Sequence, residues 1–296
     1  LVVNGGVNVN IKVAVENGLN PVTAIQMATI NAATCYQLRN KGAIAPGYIA
    51  DFSIVTDLET LSVKQVYKNG ILVANNHTLE NPVKPGICSV PDRLITSINI
   101  PNLDLDDLAI DMAGCTRANI IEVAAGSVVS NHLVEQVDVE NGRFKINVAK
   151  DQLKIAVVER HKNRNNVACG IIKGLNLERG AIATTIAHDS HNLIVVGCTE
   201  EDMLEAIRAV KKMQGGIVIV DQERQVSSLK LEIGGPMTSR KADAVVADLN
   251  RLQQTIDRIA PKCAFNPFLA LSFMSLIVIP ELKINDNGLF DFKSFK

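Results

Sequence analysis

Residues 181–213 read AIATTIAHDSHNLIVVGCTEEDMLEAIRAVKKM, and four different local rules operate within them. Ala181–Ala187 and Asn192–Gly197 are short β-branched, apolar runs, which is how strands buried on both faces are spelled. Between them His188-Asp189-Ser190-His191-Asn192 is wholly polar, as a turn requires. Thr199-Glu200-Glu201-Asp202 resembles a capping box with Asp in place of the usual Glu, and it sets acidic groups at the positive end of a helix. Met203, Leu204, Ile207, Val210 and Met213 then fall on one face of that helix, and Gly215-Gly216 stops it. The unit is strand, turn, strand, helix.

The same reading extends outward from it. Asn119–Ala124, His132–Val139, Leu153–Arg160 and Val167–Lys173 are further strand-like runs. A second helix is expected from about Ser239, with Ala242, Val245, Val246, Leu249, Leu252, Ile256 and Ile259 recurring every three or four positions. Strands and helices without regular alternation predict an α+β layered domain. Upstream, residues 75–101 hold Pro82, Pro85, Pro91 and Pro101 with little periodicity and read as a linker. Before the linker, Val63–Tyr67 and Ile71–Ala74 flank Asn69-Gly70, the signature of a tight hairpin. Earlier still, two apolar helical stripes are expected. One is Val7, Ile11, Ala14 and Val15, closed by Gly18; the other is Val22, Ile25, Ala28 and Thr29, opened by Asn20-Pro21.

Composition narrows the function. The chain has 296 residues, 47% hydrophobic and 21% charged, enough for about two domains and too apolar for general disorder. Thirty basic against 31 acidic residues leave a net charge of −1, and there is no Trp. Neither a basic surface nor an aromatic platform for nucleic acid is available. The longest apolar run, Leu269–Pro280, is about a dozen residues where a membrane helix needs about 20. Cys35, Cys88, Cys115, Cys169, Cys198 and Cys263 are scattered without a C-x-x-C pair, so core thiols in a reducing, cytoplasmic setting are expected. Cys35 in particular reads as a buried helical thiol. The opening Leu1-Val2-Val3 runs almost directly into a helical pattern and suggests a piece of a longer chain.

Two clusters could carry chemistry. His188, Asp189 and His191 could supply metal ligands or an acid–base pair; alternatively the segment is a polar turn in which Asp189 and Asn192 make side-chain turn bonds. Glu159-Arg160-His161, at the end of another strand-like run, could touch a ligand or form a solvated rim. Gly215-Gly216 and Gly234-Gly235 lack phosphate-loop spacing. The H-x-E…P-C-x-x-C and H-E-x-x-H signatures are both absent. No self-sufficient catalytic constellation is visible.

Met27-Ala28-Thr29-Ile30-Asn31-Ala32-Ala33 and Gly42-Ala43-Ile44-Ala45-Pro46-Gly47-Tyr48-Ile49-Ala50-Asp51 resemble the end of an amidohydrolase. Further along, Val158–His161, Gly170–Gly174, Arg179–Ala183, Ala187–Asn192, Gly215–Ile219, Leu269–Phe273 and Ile279–Leu282 resemble, in order, the C-terminal domain of the bacterial adenine deaminase family. The resemblance implies three regions. Residues 1–40 would be the last helices of a truncated amidohydrolase barrel, 41–100 a small β-domain segment and linker, and 101–296 the family's α+β domain, able to fold alone.

It implies a parent enzyme that hydrolyses adenine to hypoxanthine and ammonia through a manganese or iron pair. The ligands of that pair would lie on barrel strands upstream of Leu1, so the resemblance gives this chain no catalytic and no metal-ligating residue. The family tends to carry a His near the position of Gly6, where this chain reads Gly5-Gly6-Val7-Asn8. His188, Asp189, His191, Glu159 and His161 are the substrate-pocket candidates. The expected partners are adenine and further copies of the chain, with no nucleic acid and no membrane. The alternative is a non-catalytic ligand-binding or oligomerisation module of the same ancestry.

Overall fold

The computed structural model describes residues 6–80, 89–221 and 226–295. The expectations for Leu1-Val2-Val3, for Pro82 and Pro85 in the linker, and for Cys88 lie outside the described residues. The chain divides into two compact units, Leu1–Cys88 and Ser89–Lys296.

In the first unit, α1 (Val7–Glu16) is followed by α2 (Pro21–Gln26), a π-turn at Met27–Asn31 and α3 (Ala32–Cys35). Asn20 caps α2 as expected, its side-chain oxygen accepting from Val22 N at 3.0 Å and Thr23 N at 3.3 Å. The helical stripes are only partly covered. Ile11, Ala14 and Val15 are half-buried, Val7 and Val22 are exposed, and the buried positions are Ala24 and Ala33. A unit this small offers too little surface to cover three short helices. Cys35, expected inside, is exposed at the last turn of α3.

The rest of this unit is an antiparallel sheet of β1 (Phe52–Val55), β2 (Val63–Lys68), β3 (Ile71–Asn75) and β4 (Thr78–Leu79). Asn69 (φ 50°) and Gly70 (φ 76°) form the predicted turn between β2 and β3. Asp51 holds that turn, accepting from Asn69 N at 2.9 Å, from Lys41 at 3.3 Å and from Lys68. The Lys68 hydrogen bond, followed by the Asn69 amide, brings the carboxyl down to about 2.

The second unit opens with the short α4 (Asp92–Ile95). It then runs through β5 (Arg117–Val123), β6 (Ser130–Gln136), the hairpin β7 (Asp138–Glu140) and β8 (Arg143–Lys145), β9 (Leu153–Val158) and β10 (Val167–Lys173). It continues with β11 (Ala181–Thr184), β12 (Leu193–Gly197), α5 (Glu200–Met213), β13 (Gly216–Val220) and β14 (Val226–Lys230). It closes with α6 (Ala242–Ile259), α7 (Pro267–Ser272) and the hairpin β15 (Leu282–Asn285) and β16 (Gly288–Asp291). Eight strands form one sheet in the order β14-β13-β11-β12-β9-β10-β5-β6, antiparallel except for β10 against β5.

Both faces of this sheet are covered. Ile155, Val157, Ile182, Ile194, Ile217 and Ile219 pack with Leu252, Ile256 and Ile259 of α6 and Leu271 of α7. Their neighbours Ala156, Val158, Ala183, Val195 and Val218 face Met203, Leu204, Ile207 and Val210 of α5 together with Ile98, Ile100 and Leu103. Alternate side chains therefore feed two cores, so the strands read as continuous apolar runs. Each fully buried Ile, Leu or Val contributes roughly 1.5–3 kcal/mol to that packing.

Several boundaries differ from expectation. The run Ala181–Ala187 stops as a strand at Thr184, whose hydroxyl accepts from Ile186 N at 3.0 Å and turns the chain. Leu153–Arg160 stops at Val158, and His132–Val139 divides between β6 and β7. The second helix begins at Ala242, because the Glu232 carboxylate takes Ser239 N at 3.1 Å and the Ser239 hydroxyl at 2.8 Å. The five described cysteines are all free thiols, but only Cys198 is buried, and Cys115 joins Cys35 at the surface. No helix among the described residues is long and apolar enough to cross a membrane.

Candidate functional site

Strand pairing brings the two candidate clusters together. β12 runs antiparallel to β9 with Leu193 opposite Val158. Residues 159–161, just past the end of β9, therefore meet residues 188–192, just before the start of β12. The sequence separates them by about thirty positions, and the register alone juxtaposes them.

His188-Asp189-Ser190 is a turn, with His188 and His191 half-buried and Asp189 and Ser190 exposed. Its backbone is held on several sides. His188 N donates to Ser272 O at 2.9 Å, at the end of α7, and the Ser275 hydroxyl donates to His188 O at 2.7 Å. His191 adopts φ 52° and donates its N–H to Ala187 O at 2.7 Å. The His188 ring lies on Phe273 with centroids 4.9 Å apart and meets the His191 ring edge-on at 6.2 Å.

Carbonyl contacts fix the tautomers of neutral rings, because a carbonyl oxygen can only accept. His191 Nδ1 lies 3.0 Å from Asp189 O, so it carries the hydrogen and Nε2 keeps its lone pair. His161 Nε2 lies 2.8 Å from Ser190 O and donates there, leaving Nδ1 as that ring's acceptor.

The Glu159-Arg160-His161 segment departs from a solvated rim. His161 is exposed, but Glu159 is only 7% exposed and Arg160 only 1%. The Glu159 carboxylate accepts from the backbone N–H groups of His161 (2.7 Å), Lys162 (2.9 Å) and Arg164 (3.2 Å). Burial by itself raises the Glu159 pKa, and those three donors overcome it, so the group stays below the ordinary glutamate range. Arg160 donates to His191 O, to Ser97 O at 3.3 Å and to Gly234 O at 2.9 Å. Burial lowers its pKa to about 10, which still leaves it charged at neutral pH.

The turn reading of residues 188–192 holds in a different form from the one expected. Asn192 is buried, donates to Asp286 at 3.1 Å and leaves its side-chain oxygen without a hydrogen-bond partner. The turn bond is made instead by the Ser190 hydroxyl, which accepts from Asn192 N at 3.3 Å. Sequence reasoning did not single out Ser275, Asp286 or the site role of Phe273, which approach from α7, the turn after it and the β15–β16 hairpin. Their only signal was an apolar run with two serines.

Among the described residues, no three His, Cys, Asp or Glu side chains stand close enough together to hold a metal ion. The donor set of the described residues does not fit a metal pair. What the cluster offers is a half-buried aromatic and imidazole surface with free imidazole nitrogen acceptors, backed by a buried cation.

The comparisons with known proteins agree with this architecture. Residues 3–73 match the amidohydrolase family model. Residues 127–296 match the model described as the adenine deaminase C-terminal domain, and the chain belongs to that family. It is 43% identical over 295 residues to the adenine deaminase of Halalkalibacterium halodurans, covering 100% of this chain and 50% of that protein. It is 42% identical over 287 residues to the adenine deaminase of Geobacillus kaustophilus, covering 97% of this chain and 50% of that protein. To the adenine deaminase of Listeria monocytogenes serovar 1/2a it is 42% identical over 297 residues, 100% of this chain and 51% of that protein. The chain thus spans about half the length of the curated relatives it matches.

Proposed function

We propose that the protein to which this chain belongs hydrolyses adenine, with water replacing the 6-amino group to give hypoxanthine and ammonia, and that this chain supplies its C-terminal half. The supporting observation is the identity of 42–43% to proteins named adenine deaminase, which runs through both units. In this reading residues 1–40 close an amidohydrolase barrel, 41–100 form the adjoining β segment and linker, and 101–296 form the α+β domain. The manganese or iron pair belongs to the barrel, and no step is assigned to it from the residues of this chain. A cytoplasmic, homo-oligomeric enzyme completes the reading.

Within it, His188, Asp189 and His191 line or order the purine pocket, with Glu159 and His161 shaping the neighbouring loop. A turn with half-buried imidazoles and a phenyl ring suits a flat heteroaromatic base, since ring faces stack and a free imidazole nitrogen accepts from an amino N–H. His191 Nε2 is the acceptor left open by the Nδ1 contact to Asp189 O. The test is His188→Ala and His191→Ala in the whole protein, with metal content, thermal stability and adenine turnover measured together. The expected result is unchanged metal content with turnover reduced roughly 10–100-fold, the range of a lost positioning contact. Unchanged turnover in both variants would return the cluster to a structural turn.

A further inference from the structure

Arg160 is among the largest fully buried side chains of the molecule. Charged groups at such depth ordinarily face an opposite charge, because desolvation is otherwise uncompensated. The neighbouring Glu159 carboxylate supplies such a charge, but among the described residues the hydrogen-bond acceptors of Arg160 are three main-chain carbonyls from three separate segments: Ser97, His191 and Gly234. Its own backbone joins the same junction, as Asn99 N donates to Arg160 O at 2.7 Å. Gly234 N in turn donates to Leu94 O at 2.7 Å.

The space around the guanidinium is shaped for it. Gly235 (φ +93°) has no side chain, and a Cβ there would lie 2.7 Å from one guanidinium nitrogen and 2.9 Å from the central carbon. The planar fork meets the three carbonyls with three separate nitrogens, Nε, Nη1 and Nη2; a lysine would gather its donors on one nitrogen. Of the three carbonyls, that of His191 belongs to the candidate site. His191 has a left-handed backbone, held at its N–H by Ala187 and at its C=O by Arg160. Non-glycine residues keep such a conformation only where their surroundings over-determine it. Releasing the carbonyl would free the peptide plane that aims both the His191 ring and the start of β12.

We infer that Arg160 is the positioning residue of the His188–His191 turn, acting through the His191 carbonyl to hold the His191 imidazole at the angle the substrate meets. Arg160 touches no substrate itself. The inference rests on the reading of the turn as part of the adenine site.

The experiment uses the whole protein with Arg160→Lys, His191→Ala and the double variant, and Arg160→Met as a second replacement should the lysine variant fail to fold. Adenine kcat and KM are measured separately, and amide hydrogen exchange is followed at residues 187–192 and in β9 and β12. Arg160→Lys is expected to lower kcat/KM about tenfold and to speed exchange at His191 at least tenfold, with the amides of β9 and β12 still protected. In the His191→Ala background, Arg160→Lys is expected to have no further effect on kcat/KM, because two residues acting as one unit are not additive. Full additivity of the two substitutions, or unaltered exchange at residues 187–192, would overturn the positioning role while leaving the turn's own role standing. Unchanged turnover in His188→Ala and His191→Ala, with exchange at His191 still accelerated by Arg160→Lys, would instead overturn the assignment of the turn to the adenine site.

Discussion

Lys154 Nζ lies 2.5 Å from Glu200 Oε1 and 2.8 Å from Leu108 O, and the two charged partners are buried very unequally. The Lys154 side chain is 1% exposed and that of Glu200 31%. The bond ties the central strand β9 to the first turn of α5, next to the Thr199 cap that accepts from Asp202 N at 3.1 Å. Removing either end therefore has a different consequence. Glu200→Ala leaves the buried ammonium with only the Leu108 carbonyl and should cost about 3 kcal/mol. Lys154→Met leaves a carboxylate that water can reach and should cost about 1 kcal/mol, mostly for the unpaired Leu108 carbonyl. Urea unfolding of the two variants checks the order, and equal losses would refute the asymmetry.

Lys283 gives a second prediction, in pH. It is fully buried, its ammonium donates to Val128 O at 3.0 Å, and burial lowers its pKa from 10.5 to about 8. Between those values the unfolded chain binds more protons than the folded one, so this group makes stability rise with pH over that window. Below pH 8 both states are charged and the fold carries the whole desolvation cost, about 3 kcal/mol. Lys283→Met removes the dependence. Its stability relative to the parent should therefore fall by roughly 2 kcal/mol between pH 7.5 and 9.5. Parallel curves at the two pH values would contradict this.

Asp51 predicts a slope of the same sign for the first unit, moved to the acid range. Its carboxyl sits at about 2, so its contribution is complete above the ordinary aspartate range near 4 and is lost as pH falls through 2. Asp51→Asn should loosen the β2–β3 turn at pH 7 and flatten the acid response between pH 4 and pH 2. Exchange of the Asn69 amide, which donates to Asp51, reports it directly.

Gly216 tests the close approach of β13 to β14. A Cβ there would lie 2.0 Å from Leu229 O, and its φ of +131° is one that side-chain-bearing residues rarely adopt. Gly216→Ala should cost about 3 kcal/mol or more by forcing the strands apart. A loss below 1 kcal/mol, measured by thermal unfolding, would mean that the edge of the sheet yields.

For the chain on its own, no stoichiometric manganese or iron should survive dialysis, because the described residues provide no three-ligand cluster. Two equivalents of either metal per chain would show that this reading of the ligand positions is wrong.

Much of the second unit was legible because its signals are local. Thr199 and Gly215 bracket α5, and the β-branched runs 153–158 and 193–197 are strands wherever they pair. Asn69-Gly70 and Asn20-Pro21 act within four residues, and both hold. Burial was less legible, since Cys35 and Val22 carry apolar chemistry at exposed positions. The candidate site was legible as two unconnected clusters. Their meeting depends on Leu193 pairing with Val158, a register that no local pattern encodes. Arg160 was visible only as one member of a charged strand end. Its burial follows from Ser97 and Gly234, 63 and 74 positions away.

The edge strand β6 is finished by residues far from it in the chain. The Ser130 hydroxyl donates to Leu282 O across 152 positions, and Lys283 reaches Val128 across 155. During synthesis, then, the sheet can assemble from β5 onward while the Ser130 end of β6 waits for Pro280 and Glu281, whose backbones bond to Ser130. Closing so long a loop is slow, and an uncovered edge strand is a template for pairing with another chain. A chain cut short before Pro280 would leave that end of β6 open to pairing with another chain.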